Sequence, residues 1–316
     1  MSKKHASVKA LRVKRSVKDW LNLKKYWPLY VMMLPGIIFF ITFKYIPMLG
    51  SVIAFQDYSV FKGIFGSTWV GLKHFRDLFS YAEFKRVFSN TLILGLLKTV
   101  LIFPIPVILS MMLNEIKNLR LKKAIQTSIY IPYFLSWVIV GGLIFDIFGS
   151  GGLFNNFRNA LRMDTVLAMQ KSSWFRPIYV ISSIWKDSGW GTVVYLAAIS
   201  GIDPALYESA SMDGASRVQR MRHITLPLLL PTILTLFLLN IGSFLELGFD
   251  QVFNLLTPMT YSVGDIFDTY VYRVGIQKGQ YSITTAVGLF QSVIGFILVM
   301  TFNKLANKFS EDGGLW

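Results

Sequence analysis

Six separated blocks of predominantly apolar residues, each long enough to cross a bilayer as a helix, constrain this chain more than any other feature. They run over residues 28–48, 88–113, 125–148, 178–199, 226–249 and 282–305. A hydrocarbon core about 30 Å thick needs about 20 such residues in helical form. No water is present there to satisfy a bare backbone, so helices are the form that blocks of this length can take. The spacing predicts an all-α integral membrane protein with six transmembrane helices. Charged residues make up 16% of the chain, against about 25% in a soluble domain. Each block carries a Pro, Gly or polar residue, which a bundle tolerates where neighbouring helices supply the missing partners.

Charge sets the expected orientation. Of a formal net charge of +15, the first 27 residues hold Lys3, Lys4, Lys9, Arg12, Lys14, Arg15, Lys18, Lys24 and Lys25 against Asp19. Directly before an apolar span, such an arm reads as a cytoplasmic anchor rather than a nucleic-acid-binding tail, and it is too long for a secretory signal. Lys117, Arg120, Lys122 and Lys123 follow the second block, and Arg217, Arg220, Arg222 and His223 follow the fourth. With both termini cytoplasmic, these basic loops fall on the inner side of a cell membrane. The expected organisation is a basic arm over 1–27, a six-helix transmembrane domain over 28–305 containing a cytoplasmic loop at 201–226, and a cytoplasmic tail over 306–316.

The chain has no cysteine and three widely separated histidines, His5, His74 and His223. That excludes a disulfide framework and a thiolate zinc site, and it leaves no metal site or catalytic residue to expect. There is no GxxxxGK[ST] phosphate loop, so ATP is not bound here by that mechanism. An intramembrane protease would need paired carboxylates or a nucleophile with its base, and Asp187, Glu246 and Asp250 lie in no such context.

The segment between the fourth and fifth blocks, GIDPALYESASMDGASRVQRMRHITLPLLLP over 201–231, is organised. Asp203 precedes Pro204, the pattern of a capped helix whose first residue is proline. Asp213-Gly214 is a turn signal that stops it. A basic helix then leads to Pro227. The expected element is a hook of short helix, turn and longer helix on the cytoplasmic face.

These residues carry a resemblance. Glu208-Ser209-Ala210, then Asp213-Gly214-Ala215, Leu226-Pro227 and Pro231 closely resemble the E-A-A–x3–G loop of ABC importer permeases, with Ser209 in place of the first alanine. PLYVMMLPGIIFFITFKYIPMLG, STWVGLKHF, SNTLILGLLKT, PYFLSWVIVGGL, SIWKDSGWGTVVYLAAISGIDPALYE and DTYVYRVGIQKGQYSITTAVGLFQSV look like the carbohydrate-uptake branch, in its subgroup for complex oligosaccharides. The resemblance covers residue 28 to the C-terminus. It implies the type I ABC importer permease fold, with the hook as a coupling helix seated in a separate ATPase. Pro204, Tyr207, Glu208, Ser209, Ala210, Asp213 and Gly214 would form that seat, with Glu208 pairing to a basic residue of the ATPase. The implied partners are a second permease in a heterodimer, two ATPase subunits that bind ATP and magnesium, an extracellular solute-binding protein, an oligosaccharide and the lipid bilayer. No cofactor is expected in this chain.

Polar residues at membrane depth are costly unless they face a cavity or a partner. Ser183, Asp187 and Trp190 in the fourth block, with Asn240, Ser243 and Glu246 in the fifth, are the expected substrate pathway. Trp185, Lys186, Tyr281, Thr284, Thr285 and Gln291 are further polar or aromatic candidates, and Lys186 can pair with Asp187. Competing readings are a permease for another solute, such as a lipid-linked or small polar one, an ion-coupled transporter and a passive channel.

Overall fold

The computed structural model describes residues 23–309. The basic arm expected over 1–27 and the tail expected over 306–316 lie largely outside the described residues. The chain divides into two units, the first ending at Val52 and the second starting at Ile53.

In the first unit, α1 (Leu23–Phe40) continues through a wider π turn at Ile41–Tyr45 and a last turn at Ile46–Leu49. Pro28 and Pro35 lie inside α1. The helix is apolar on every side, as expected of a helix immersed in lipid or surrounded by protein.

The second unit is a helical bundle. A two-residue antiparallel pair, Gln56–Asp57 with Thr68–Trp69, opens it. Then come α2 (Ala82–Leu97), a π turn at Lys98–Ile102 and α3 (Pro104–Asn114). Next are α4 (Leu119–Tyr130), α5 (Trp137–Phe148) and the 29-residue α6 (Ser172–Ser200). The hook helix α7 (Pro204–Met212) precedes α8 (Leu226–Gly242), α9 (Phe249–Leu255) and α10 (Tyr281–Phe309).

Among the described residues, five stretches are long and apolar enough to cross a membrane: Tyr26–Phe55, Ala82–Asn114, Trp137–Ala160, Arg217–Gly242 and Tyr281–Leu305. Helix α6 supplies the sixth helix of the expected architecture. At about 43 Å it has the length, but Arg176, three serines around its middle (Ser182, Ser183 and Ser188), Lys186 and Asp187 dilute its apolar content. It can carry them because much of it is interior, with Tyr179, Ser183, Lys186, Thr192 and Tyr195 all buried.

The third and fifth spans differ from expectation. The block at 125–148 is not one helix. Helix α4 ends at Tyr130, a 3-10 turn over Ile131–Phe134 contains Pro132, and the backbone is extended at Leu135. The Ser136 hydroxyl then accepts from the Ile139 N–H at 3.3 Å and restarts the helix. The fifth span was expected to reach 249 but stops at Gly242, where 243–248 form a bend ending at Gly248, φ +93°.

Three apolar clusters hold the unit together, a small one around Tyr195 and Leu229 and two larger ones. One joins Leu94, Val140, Ile178, Tyr179, Val252 and Ile266. The other centres on Phe84, whose ring lies 5.8 Å from Phe267 and 5.7 Å from Phe290. Helix α6 reaches its neighbours through glycines: a Cβ at Gly189 would lie 2.4 Å from the Ile129 carbonyl oxygen, and one at Gly191 would lie 2.8 Å from Pro106 Cβ. Close backbone approach through small residues is how helices pack where lipid removes the hydrophobic drive.

Between α9 and α10, outside the spans, Arg273 pairs with the buried Asp265 carboxylate at 2.5 Å and with Glu83 at 2.9 Å. Burial pushes the Asp265 carboxyl above the usual carboxylate range, against the pull of Thr269 and Arg273.

Candidate functional site

The helix interruptions converge on one cavity of about 460 Å³. The π turn after α2 contributes Lys98, Thr99 and Ile102, the start of α5 contributes Trp137, and the bend after α8 contributes Ser243, Phe244, Leu247 and Gly248. Irregular backbone at membrane depth is tolerated where it lines a cavity, and π turns inside helices recur at functional sites.

Helix α6 forms one wall. Ser183, Asp187 and Trp190 are spaced four and three residues apart, so they share a face, and all three line the cavity. Asn240 and Ser243 line it from the opposite side. Of the expected pathway residues, Glu246 is the exception. Its side chain is exposed and not part of the lining, while its backbone oxygen accepts from Lys98 Nζ at 3.5 Å. Leu247 reaches the cavity from the bend after α8.

Several of these side chains are held in place by neighbours. Gln251 Nε2 donates to Tyr179 O at 3.0 Å and to Ser183 Oγ at 2.7 Å, pinning α9 against α6. Lys186 is buried behind the wall, 3.6 Å from Asp187 Oδ1, with Tyr133 O accepting at 3.2 Å. The Tyr133 and Trp137 ring centroids lie 5.2 and 5.1 Å from its ammonium. Trp190 stacks on Tyr133 at 5.2 Å with an interplanar angle of 11°. Asn240 bonds back to Leu236 O at 2.9 Å.

The remaining candidates lie elsewhere. Trp185 is exposed and absent from the lining. Thr284 and Thr285 bond to carbonyls of their own helix or of the turn before it, and Gln291 bonds to Leu245 O. Sequence reasoning missed Lys98 and Gln251. Lys98 had a signal, being the lone charge in the block 88–113.

The hook is built as its residues suggest. Asp203 Oδ1 accepts from the Ala205 N–H at 2.9 Å, and Pro204 takes the first helical position. At the other end, Gly214 adopts φ +79°. Its N–H reaches Ser211 O at 3.1 Å, and the Ala215 N–H reaches Ala210 O at 2.9 Å. That pair of bonds is a Schellman stop. Ser216 and Gln219 then cap the next turn reciprocally. Glu208 and Ser209 are exposed, Ala210 is partly covered, and Glu208 has no ion-pair partner among the described residues. Leu206, Met212 and Val218 are exposed beside it. Tyr207 instead turns inward, its hydroxyl 3.0 Å from Thr225 Oγ1.

A bundle of membrane-spanning helices with a cavity among its broken segments, and a capped hook presenting a free carboxylate, defines a translocation subunit of a membrane transporter. Residues 82–309 match the family described as binding-protein-dependent transport system inner membrane component, and the chain belongs to that family. It is 50% identical over 286 residues to the polygalacturonan/rhamnogalacturonan transport system permease protein YteP of Bacillus subtilis, covering 90% of this chain and 89% of that one. It is 47% identical to protein LplB of the same organism, covering 93% of each. Its fold superposes on a chain of a bacterial ABC transporter involved in the import of the acidic polysaccharide alginate, with TM-score 0.86 and 40% identity over 93% of this chain and 99% of that one. A second structure, of the alginate transporter with an alginate pentasaccharide-bound periplasmic protein, gives TM-score 0.85 and 41% identity, covering 92% of this chain and 97% of that one. The protein is a multi-pass permease subunit of the ABC importer type.

Proposed function

We propose that this chain forms half of the pathway by which a complex oligosaccharide, one containing uronic acids, enters the cell. The cavity around Asp187 carries the reading. It combines hydrogen-bonding side chains (Ser183, Asp187, Asn240, Ser243), an aromatic face (Trp190) and an ammonium (Lys98), the mixture that sugar hydroxyls, sugar faces and a carboxylate require. The names of the relatives, which are transporters of polygalacturonan or alginate, support an acidic polymer as the source. A second permease would close the open side of the cavity, and an extracellular solute-binding protein would deliver the sugar. Trp190→Ala and Asn240→Ala are expected to change the order of preference among oligosaccharides in uptake assays. Wild-type kinetics in both would remove them from the pathway.

The hook faces the cytoplasm in this reading, with both termini on the same side. It seats in one of two ATPase subunits that bind ATP and magnesium, and this chain holds no cofactor of its own. Pro204, Asp213 and Gly214 shape the seat. Glu208, Ser209 and Ala210 meet the ATPase, with Glu208 pairing to a basic residue there, and Tyr207 anchors the helix from behind. ATP-driven closure of the ATPases moves the hook, and the bundle alternates between outward- and inward-open cavities. Glu208→Ala is expected to leave membrane insertion intact and to uncouple import from hydrolysis. Unchanged substrate-stimulated hydrolysis in the assembled transporter would rule the docking role out.

A further inference from the structure

The hook does more than present a surface. Its inner side is fastened to two spans, by Arg220 and by Tyr207. Arg220, one turn past the Gly214 stop, donates to the Ser211 hydroxyl near the end of α7. Its other terminal nitrogen lies 3.7 Å from Glu115 Oε2. Both side chains are only 18% exposed, so solvent screens this pair less than an ordinary surface pair. Glu115 caps the C-terminal end of α3, where the negative end of the helix dipole disfavours a carboxylate. Its stability at that position depends on a cation, and Arg220 is the cation paired with it. The Tyr207–Thr225 bond makes a second fastening, between the hook and the stretch that enters α8.

We propose that Arg220 is the positioning residue that locks the hook to the inner end of α3, so that the hook, α3 and the entry to α8 move as one body. The reason is geometric. Gly214 gives the connection between α7 and the fifth span a tight turn but no side-chain contact, since no atom lies within 4 Å of its Cβ position. Without a brace, displacement of α7 could be absorbed by rotation at that turn. The Arg220 fork bridges the turn by holding Ser211 on one side and Glu115 on the other. It also ties in a helix distant in sequence, α3, whose preceding π turn carries Lys98 into the cavity. Displacement of the hook thereby reaches the cavity wall along α3.

This inference rests on the docking reading, and the test separates the two. In the full transporter reconstituted in vesicles, three quantities are measured: co-purification of the ATPase subunits, ATP hydrolysis, and sugar imported per ATP hydrolysed. Glu208→Ala reads docking. Arg220→Ala is expected to keep the ATPases bound and hydrolysing, and to lower import per ATP by about fivefold or more, the scale of a modest coupling energy between sites. Glu115→Gln, nearly isosteric, is expected to do the same, which covers the case that Arg220→Ala fails to assemble. The exchange Glu115→Arg with Arg220→Glu is expected to restore import per ATP. Arg220→Lys is expected to restore it only in part, because an ammonium cannot hold both partners as a fork does. Unchanged import per ATP in Arg220→Ala or Glu115→Gln overturns the proposal, as does an exchanged pair that assembles without recovery. Loss of the ATPases from an Arg220→Ala permease that is itself folded and paired with the second permease also overturns it, by making Arg220 a docking residue.

Discussion

The hook and the cavity are both polar interruptions in an apolar chain, yet they are held by different forces. Between Asp203 and Ala215, order comes from bonds spanning two to five residues: an aspartate cap, a proline start and a glycine stop. Around Asp187, order comes from residues separated by tens of positions, such as Gln251 with Ser183 and Lys186 with Tyr133. A locally coded element can tilt as a unit when pushed. A site assembled from distant helices changes shape when those helices move. A transporter needs both properties, and here one lies beside the middle of α6 and the other just past its C-terminal end.

That difference can be broken by substitution. The largest effect is expected from Asp187→Ala, which strands the buried Lys186 ammonium beside a carbonyl and two rings. Because Asp187 is itself 42% exposed, the loss is expected at about 2–3 kcal/mol, discounted for solvent screening from the roughly 3–5 kcal/mol of a fully buried pair. It is read as a fall in the melting temperature of the purified protein. Lys186→Met should cost less, since it leaves a half-exposed carboxylate. The reverse order would show that the ammonium is stabilised by the rings and carbonyl alone.

Gln251→Leu comes next, at about 2 kcal/mol, because Ser183 and the Tyr179 carbonyl lose a buried partner. Thermal melting again reads it. An unchanged midpoint would mean that α9 is held by its apolar contacts alone. Gly214→Ala should be the mildest. No neighbour obstructs the added methyl, so the cost is the left-handed backbone alone, about 1 kcal/mol. It should appear as faster hydrogen exchange in 204–212 with the global melting temperature nearly unmoved. A global shift would mean that the hook is part of the bundle's cooperative core.

The same contrast explains what was legible in the residues alone. The cap, the proline start and the glycine stop of α7 use residue types that do one job at one position, so the hook could be drawn nearly to its ends. The cavity was legible only as a set of polar residues in apolar blocks. Ser183, Asp187 and Trp190 fall on one face by helical period. Asn240 and Ser243 fall in a block expected to run unbroken to 249, but α8 stops at Gly242 and a bend carries Leu247 into the lining. Glu246 lies outside the lining, and Lys98 entered it unannounced.

By itself, the sequence determined membrane embedding, the number of long helical segments and the hook, because hydropathy and capping act within one helix length. Only the tertiary structure decided where the third and fifth spans break, that Lys186 lies behind the wall rather than in the cavity, that Tyr207 faces inward, and that Arg220 meets Glu115 across about a hundred residues. Those outcomes depend on which helices approach closely enough for a backbone carbonyl, a ring or a carboxylate to satisfy a buried charge. No local pattern along the chain encodes that distance.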